Sequence, residues 1–326
     1  MDGYILPGYL KEPFDFTKYW SFEEILDSVK GKLWLSVVGG RICYSAVPVL
    51  DILKLDKRLK SPESIADYLR RLSLVYNHTS VIAHTPVALP VKPEFDREVS
   101  FWQELGLRVY KWFYNPATKQ IVFTLRHIVE HLSNAGKRDL VNELFSKASK
   151  EYFELEQQNI QNAINWITNS ISKNRRAGIL YADSNWISLA VGLDSNTYVS
   201  RVLSHQLVRH TVLNFNQMSQ RYVKLTENVF IIPPSIEANS SANKVYKLGI
   251  ADSLRRYSKL INEYGIPKED ARFIIPQAVY TRLIVSGTVA DVKDFVSKRI
   301  EKNAQWEIRM LAKDILDSMN ELVTQI

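Results

Sequence analysis

The sequence predicts a mixed α/β (α+β) protein in which strands and helices pack around shared apolar cores. Three observations carry this reading. Short apolar or alternating runs bounded by turn residues occur near residues 33–38, 107–125 and 187–193, as strands require. Between them, apolar residues recur at helical spacing over long stretches. With 46% apolar and 11% aromatic residues in 326, the chain can bury one large core or two modest ones, and nothing in its composition marks disorder.

The first element expected is a buried strand over Leu33–Val38, an unbroken apolar run ended by the turn residues Gly39 and Gly40. A helix should follow over Ser61–Leu74, with Ser61 as its cap, Pro62 at the first helical position and Glu63 just inside. In YNHTSVIAHTPVALP, His78 and His84 bracket a short turn and an extended segment. The texture changes over residues 91–184. There LRVYKWFYNPATKQIVFTL predicts a β-hairpin whose loop is Asn115-Pro116-Ala117-Thr118. Leu140, Leu144, Ala148, Tyr152 and Leu155, continuing through Ala163 and Ile167, predict a long amphipathic helix or a helix pair that serves as packing surface.

Beyond residue 185 strand and helix alternate again. Ile187–Leu193 reads as a strand, and Val202, Leu203 and Leu207 give the next helix its apolar stripe, with Arg201, His205 and Arg209 on another face. Ile250, Leu254, Tyr257, Ile261 and Tyr264 form a further stripe stopped by Gly265, and Pro267 with Glu269 and Asp270 opens a short helix carrying Arg272. Residues 289–326 should form two helices around Asn303, with Trp306 in the core. The expected division is a first part of the α/β core (1–90), a mostly helical insertion with one hairpin (91–184) and a second part of the core (185–326). There is no internal repeat.

The formal charge of +7, from 42 Lys and Arg against 35 Asp and Glu, fits an anionic ligand. The basic residues are scattered among acidic ones, and no nucleic-acid motif accompanies them, so nucleic acid is a minor alternative. No apolar run approaches the roughly 18 residues of a membrane span, and the start MDGYILPGYLKEPFDF has neither the basic head nor the apolar centre of a secretory signal, so a soluble, cytoplasmic protein is expected. The single Cys43 leaves no intrachain disulfide or thiolate metal cluster and is expected to serve in packing. His78 and His84, like His205 and His210, lack the four-residue helical spacing of a metal pair, so no metal is expected.

The stretch SRVLSHQLVRHTVLNFNQMSQRY, Ser200 to Tyr222, crowds cationic and amide side chains onto a helix end and the loop after it, which reads as an anion-binding segment. A guanidinium fork beside a serine hydroxyl suits the oxygens of an anionic ligand. Together with NHTSVIAH and with ARFIIPQAVYTR and RIEKNAQWEIR further on, this stretch resembles the flavin-dependent thymidylate synthases (the thymidylate synthase complementing protein family). Their signature is Arg-His-Arg, seven residues, then Ser, and here it reads Arg209-His210-Thr211, seven residues, Ser219. The resemblance covers roughly residues 30–90 and 185–326.

The resemblance implies a largely antiparallel sheet packed by helices, in a homotetramer with sites between subunits. It implies reductive methylation of dUMP to dTMP, with methylenetetrahydrofolate as donor, reduced FAD as hydride source and NADPH reducing the flavin. Carried over residue by residue, Gln206 and Arg299 would face the uracil, with Arg299 able to stabilise charge developing on it. Ser219, Arg221 and Arg272 would hold phosphate and sugar, Gln217 would stand where the family has Glu, and Ser219 and Arg299 would be the catalytic pair. His78, Thr79, Arg209 and His210 match positions lining the flavin. Against these, Thr211 replaces the second arginine of the signature, Ala83 a glutamate, Thr288 and Ala290 an asparagine and an arginine, and Asp294 another asparagine. Two lost guanidinium contacts would remove about 3–6 kcal/mol, or about two to four decades, of FAD affinity. Two readings follow: the family's synthase, or a paralogue that keeps the nucleotide pocket and has lost normal flavin binding.

Overall fold

The computed structural model describes residues 13–225 and 230–323. Most of the N-terminal stretch considered above, residues 1–12, lies outside them. In the first half, helices α1 (Phe22–Ser28), α2 (Leu33–Tyr44), α3 (Val49–Leu55) and α4 (Pro62–Arg70) precede strand β1 (Pro86–Pro90). Then come α5 (Pro93–Asp96), α6 (Val99–Arg108), β2 (Phe113–Asn115), β3 (Gln120–Thr124), α7 (Leu125–Asn134), α8 (Arg138–Glu151) and α9 (Phe153–Ser172). The second half runs β4 (Ala177–Ala182), β5 (Trp186–Val191), β6 (Val199–Ser200), α10 (Arg201–Leu207), β7 (Asn214–Gln217), α11 (Pro234–Glu237), α12 (Ser240–Asn262) and α13 (Lys268–Ala271). It closes with β8 (Tyr280–Thr281), β9 (Leu283–Thr288), α14 (Val289–Arg299) and α15 (Trp306–Val323).

Every ladder is antiparallel, as expected. The sheets are ordered β1-β3-β2, β4-β5-β9-β7 and β6-β8. The hairpin at Asn115 forms β2 and β3, and the Asn115 side-chain oxygen accepts from the Ala117 N–H at 2.9 Å, a local turn bond. The periodic run from Leu140 is a helix pair, α8 and α9, and Gly265 takes the left-handed conformation (φ +66°) beyond α12. Ser61 caps α4 as predicted, accepting from the Ser64 N–H, but the α-helix ends at Arg70 and continues as a π-helical turn over Arg71–Val75. Arg209 lies beyond the end of α10 rather than on it, and Trp306 opens α15 half-buried instead of entering the core.

The chief correction concerns Leu33–Val38, which is not a strand but the first half of α2. An apolar run without alternation fits a helix buried all round as well as a buried strand. Burial of Leu33 through Gly40 leaves this helix no polar stripe to betray its period. Its glycines are contact surfaces, not a turn. A Cβ on Gly39 would come within 2.9 Å of the His84 ring and one on Gly40 within 2.8 Å of Leu72 and the Tyr68 hydroxyl. One core joins α2 to Phe101, Phe123, Val141, Phe145 and Ile167, so residues 91–184 share packing with the chain before them.

Lys32 precedes α2 without capping it, and the cap comes from far away in sequence. Leu33 and Trp34 each donate a backbone N–H at 2.9 Å to the buried carboxylate of Glu156 on α9. Burial pushes that carboxyl up to about 8, against the pull of those two N–H groups and of Lys32. Because the folded pKa is raised, the associated stability is complete below the ordinary value of 4.5 and is lost as pH rises toward 8. Replacing Glu156 by Ala strands two buried donors and should cost about 2–5 kcal/mol, read as a lower urea midpoint. Glu156→Gln, which keeps one acceptor oxygen, should lose less.

His84 is buried beside α2 with its Nδ1 2.8 Å from the Ser286 hydroxyl on β9, and His127 on α7 is buried against Thr124. Burial lowers each imidazole to about 4. A depressed folded pKa means that their contribution to stability is complete above about 6.5 and is lost as pH falls toward 4. Imidazole NMR should find both rings neutral at about pH 5.5, where an ordinary histidine is mostly protonated.

Candidate functional site

A cavity of about 780 Å³ opens where the first half of the chain meets the loop after β7. The last turn of α2 delivers Arg41, Cys43 and Tyr44, the polypeptide after α3 delivers Arg58, and α4 with its π turn delivers Tyr68 and Arg71. His78 and the loop residues Ser219, Arg221 and Tyr222 complete the wall. Among the described residues no carboxylate lines the cavity itself, although Asp56 pairs with Arg41 and Arg58.

The loop is fixed at both ends. Ser219 donates its N–H to the Cys43 carbonyl at 2.9 Å and Met218 donates to the Arg282 carbonyl at 2.9 Å. The Ser219 carbonyl accepts from Val223 at 2.8 Å and the Ser219 hydroxyl oxygen from the Arg221 N–H at 3.3 Å, a short serine turn. Beneath it, the buried Arg282 guanidinium donates to the carbonyls of Ser45 (2.5 Å) and Val47, which ties the end of α2 to the strand beside the loop.

Tyr44 joins the two sides of the cavity. Its hydroxyl is hydrogen-bonded to His78 Nδ1, and its ring lies edge-on to His78 at 5.4 Å and to Tyr222 at 5.0 Å. Burial raises the Tyr44 hydroxyl to about 12 and the Cys43 thiol to about 11, and it lowers the His78 imidazole. All three groups are therefore neutral at physiological pH, and the charge of the wall comes from arginine. Cys43, expected in packing, is half-buried at this wall and protonated.

Asp56 organises two of the arginines, accepting from Arg41 Nε at 2.6 Å and Arg58 at 3.1 Å. Burial would raise its carboxyl, but the Arg58 backbone N–H and the Arg41 guanidinium outweigh that and hold it below the ordinary range. Arg58 stacks over Tyr68 at 5.1 Å and Arg221 over Tyr222 at 5.7 Å. Arg221 also pairs with Glu269 at 2.9 Å, and the Glu269 carbonyl accepts from Arg272 Nε at 3.1 Å, so one residue links both arginines.

The remaining predicted site residues lie elsewhere. Arg299, at the end of α14, donates from Nε to His210 Nε2 at 2.8 Å, and the His210 ring meets Phe295 edge-on at 4.9 Å. Burial and the adjacent guanidinium lower the His210 imidazole, as an acceptor requires. The Gln217 amide donates to the Ser204 and Thr281 hydroxyls at 2.9 Å each. Gln206 is half-buried on α10 and Arg209 is exposed. Thr79 is buried with its hydroxyl bonded to Glu130, away from the cavity wall. Structure thus gathers His78, Ser219 and Arg221, links Arg272 through Glu269, and pairs His210 with Arg299.

The end motif Ala304–Ile308 acts through Glu307. Its buried carboxylate accepts from Ser200 N–H at 2.7 Å and Ser200 hydroxyl at 2.5 Å, while Ser200 caps α10 by accepting from Leu203. Sequence reasoning missed Arg58, Arg71 and Tyr68, which carry no motif. Of the α2 residues at the wall, Cys43 alone was singled out in the sequence, and for packing.

Residues 195–323 match the thymidylate synthase complementing protein family. Relatives named flavin-dependent thymidylate synthase include those of Pyrococcus furiosus, 42% identical over 124 residues (37% of this chain, 50% of the relative), and Pyrococcus horikoshii, 44% identical over 124 residues (37% and 51%). That of Geobacter sulfurreducens is 38% identical over 120 residues (36% and 51%). The chain therefore spans about half the length of the curated relatives it matches. Among the described residues no helix is long and apolar enough to cross a membrane.

If Arg282 fastens the cavity's two walls, Arg282→Ala should leave two carbonyls without their donors and cost about 2–5 kcal/mol. Hydrogen exchange should then quicken at Ser219 and Met218 before it does in β4 and β5.

Proposed function

We propose that the chain carries the nucleotide side of the flavin-dependent thymidylate synthase reaction, binding dUMP or a close pyrimidine relative at the Ser219–Arg221 loop. The observation that carries this reading is that the loop, inside the family match, lines a cationic, tyrosine-walled cavity together with His78. Ser219 and Arg221 hold the phosphate, and Arg272 assists from beside Glu269. Gln206 and Arg299 serve the uracil. Arg299 lies with His210 rather than at this wall, which suits a site completed by a second copy of the chain, in a homo-oligomer of the tetrameric kind.

Reduced FAD would supply the hydride and methylenetetrahydrofolate the one-carbon unit that converts dUMP to dTMP, with NADPH restoring the flavin. The residues present do not fit FAD in the family manner. Thr211 and Ala290 are exposed and bring no cation, and Asp294 adds a carboxylate paired with Lys298 at 2.7 Å. The Thr288 hydroxyl is used in capping α14, donating to Asp291 at 2.7 Å and accepting from its N–H at 3.1 Å. We therefore read the chain as a nucleotide-binding member of the family with a reduced grip on flavin. One feature favours the complete synthase as a second reading: Arg209, exposed and without a side-chain hydrogen bond among the described residues, keeps the first signature guanidinium free for a ligand.

Calorimetry with dUMP, paired with FAD absorbance titrations with and without dUMP, separates the two. Saturable dUMP binding without flavin binding supports the first reading, and saturable FAD binding supports the second. Arg221→Ala and Arg272→Ala should each weaken dUMP by about 1.5–3 kcal/mol. Unchanged affinity in both would overturn the nucleotide assignment.

A further inference from the structure

One phosphate at the Ser219–Arg221 loop leaves one cation of this cavity unaccounted for. Of its four arginines, Arg41 and Arg58 share the Asp56 carboxylate and Arg221 pairs with Glu269, whereas Arg71 has no carboxylate partner among the described residues. Three of the four arginines precede residue 195, so they belong to the part of the chain outside the family match.

Arg71 is the telling member. Its guanidinium is exposed and has no hydrogen-bond or ion-pair partner among the described residues, although it stands among other cations. It begins the π turn Arg71–Val75, a helix distortion frequent at functional sites. That turn is held by bonds from the Tyr76 N–H to the Arg71 carbonyl (3.0 Å) and from the His78 N–H to the Leu72 carbonyl (2.8 Å). Asn77 sits between them at φ +50°. The distortion therefore sets Arg71 and His78 on the same cavity.

Space continues past Arg71. An adjoining groove of about 520 Å³ shares Arg58, Tyr68 and Arg71 with the cavity and adds Lys57 and Ser64 beyond them, together with two carboxylates that are already paired, Asp56 with Arg58 and Asp67 with Arg70. Arg58, stacked on Tyr68 and braced by Asp56, is already held at the junction, so little rotamer entropy is lost when it meets an anion.

We propose that this cavity takes a nucleotide carrying a second and third phosphate, the first held at the Ser219–Arg221 loop and the others by Arg58 and Arg71. The proposal rests on the nucleotide reading above and extends it to a nucleoside di- or triphosphate.

Calorimetry on the full chain in chelator, with dUMP, dUDP, dUTP and inorganic triphosphate, tests it. Affinity should rise along the nucleotide series, with dUTP about tenfold or more tighter than dUMP, the effect of one added charged contact. Arg71→Ala and Arg58→Gln should each abolish most of that gain while leaving dUMP affinity nearly unchanged, and Arg221→Ala should weaken all three nucleotides. If dUMP binds and dUTP binds no more tightly, or if neither outer variant reduces the gain, the multiphosphate site is refuted and the dUMP reading stands. Equal affinity for inorganic triphosphate and dUTP would refute the nucleotide part. If no nucleotide binds, both readings fall.

Discussion

The cavity depends on a helix whose first two turns have no solvent face. Burying Leu33 through Gly40 of α2 contributes apolar transfer energy that an amphipathic helix could not, and it makes the position of the helix hard to alter. Close contacts at Gly39 and Gly40 fix its depth against His84, Leu72 and Tyr68. A helix buried at its start needs its free N–H groups satisfied, and Glu156 does so from α9. The far end of the same helix then presents Arg41, Cys43 and Tyr44, so the geometry of the wall inherits the rigidity of the core.

The second constraint is the connection between halves. Arg282 lies on the short link between β8 and β9, yet its guanidinium bonds to carbonyls just after α2, and its own carbonyl receives Met218. A lysine could not reach two carbonyls with a planar fork in this way. The loop at Ser219 is consequently placed by both halves of the chain, with its N–H on Cys43. Tyr44, His78 and Tyr222 pack across the resulting seam, and burial favours the uncharged forms of Tyr44 and His78.

Much of this was legible in sequence, for identifiable reasons. The hairpin, the α8–α9 pair and the helices around Asn303 announced themselves because one face of each is solvated, which imposes a visible period. The α2 run did not, because complete burial erases the period. Ser219 and Arg221 were found through the spacing of a signature, whereas Arg58 and Arg71 lie on unmarked helical turns and meet the loop only in three dimensions. Gln217 illustrates the opposite limit: its type and position suited a ligand, but its amide is bonded to Ser204 and Thr281 within the fold.

The two halves of the signature differ in what their side chains have left to offer. After Met218 the loop turns Ser219 and Arg221 toward a cavity, with the Arg221 charge shared only with an exposed Glu269 and so available at small cost. At the flavin-matched positions other than Arg209 and His78 the polar groups are already committed, Thr288 to the cap of α14, Asp294 to Lys298, Thr79 to Glu130 and His210 to Arg299. A ligand there would have to break those bonds before making its own, whereas an anion at the arginine wall meets donors that are held in place and still unsaturated. That difference in prior commitment, more than the number of substitutions, is the physical reason why the function proposed above rests on the nucleotide side.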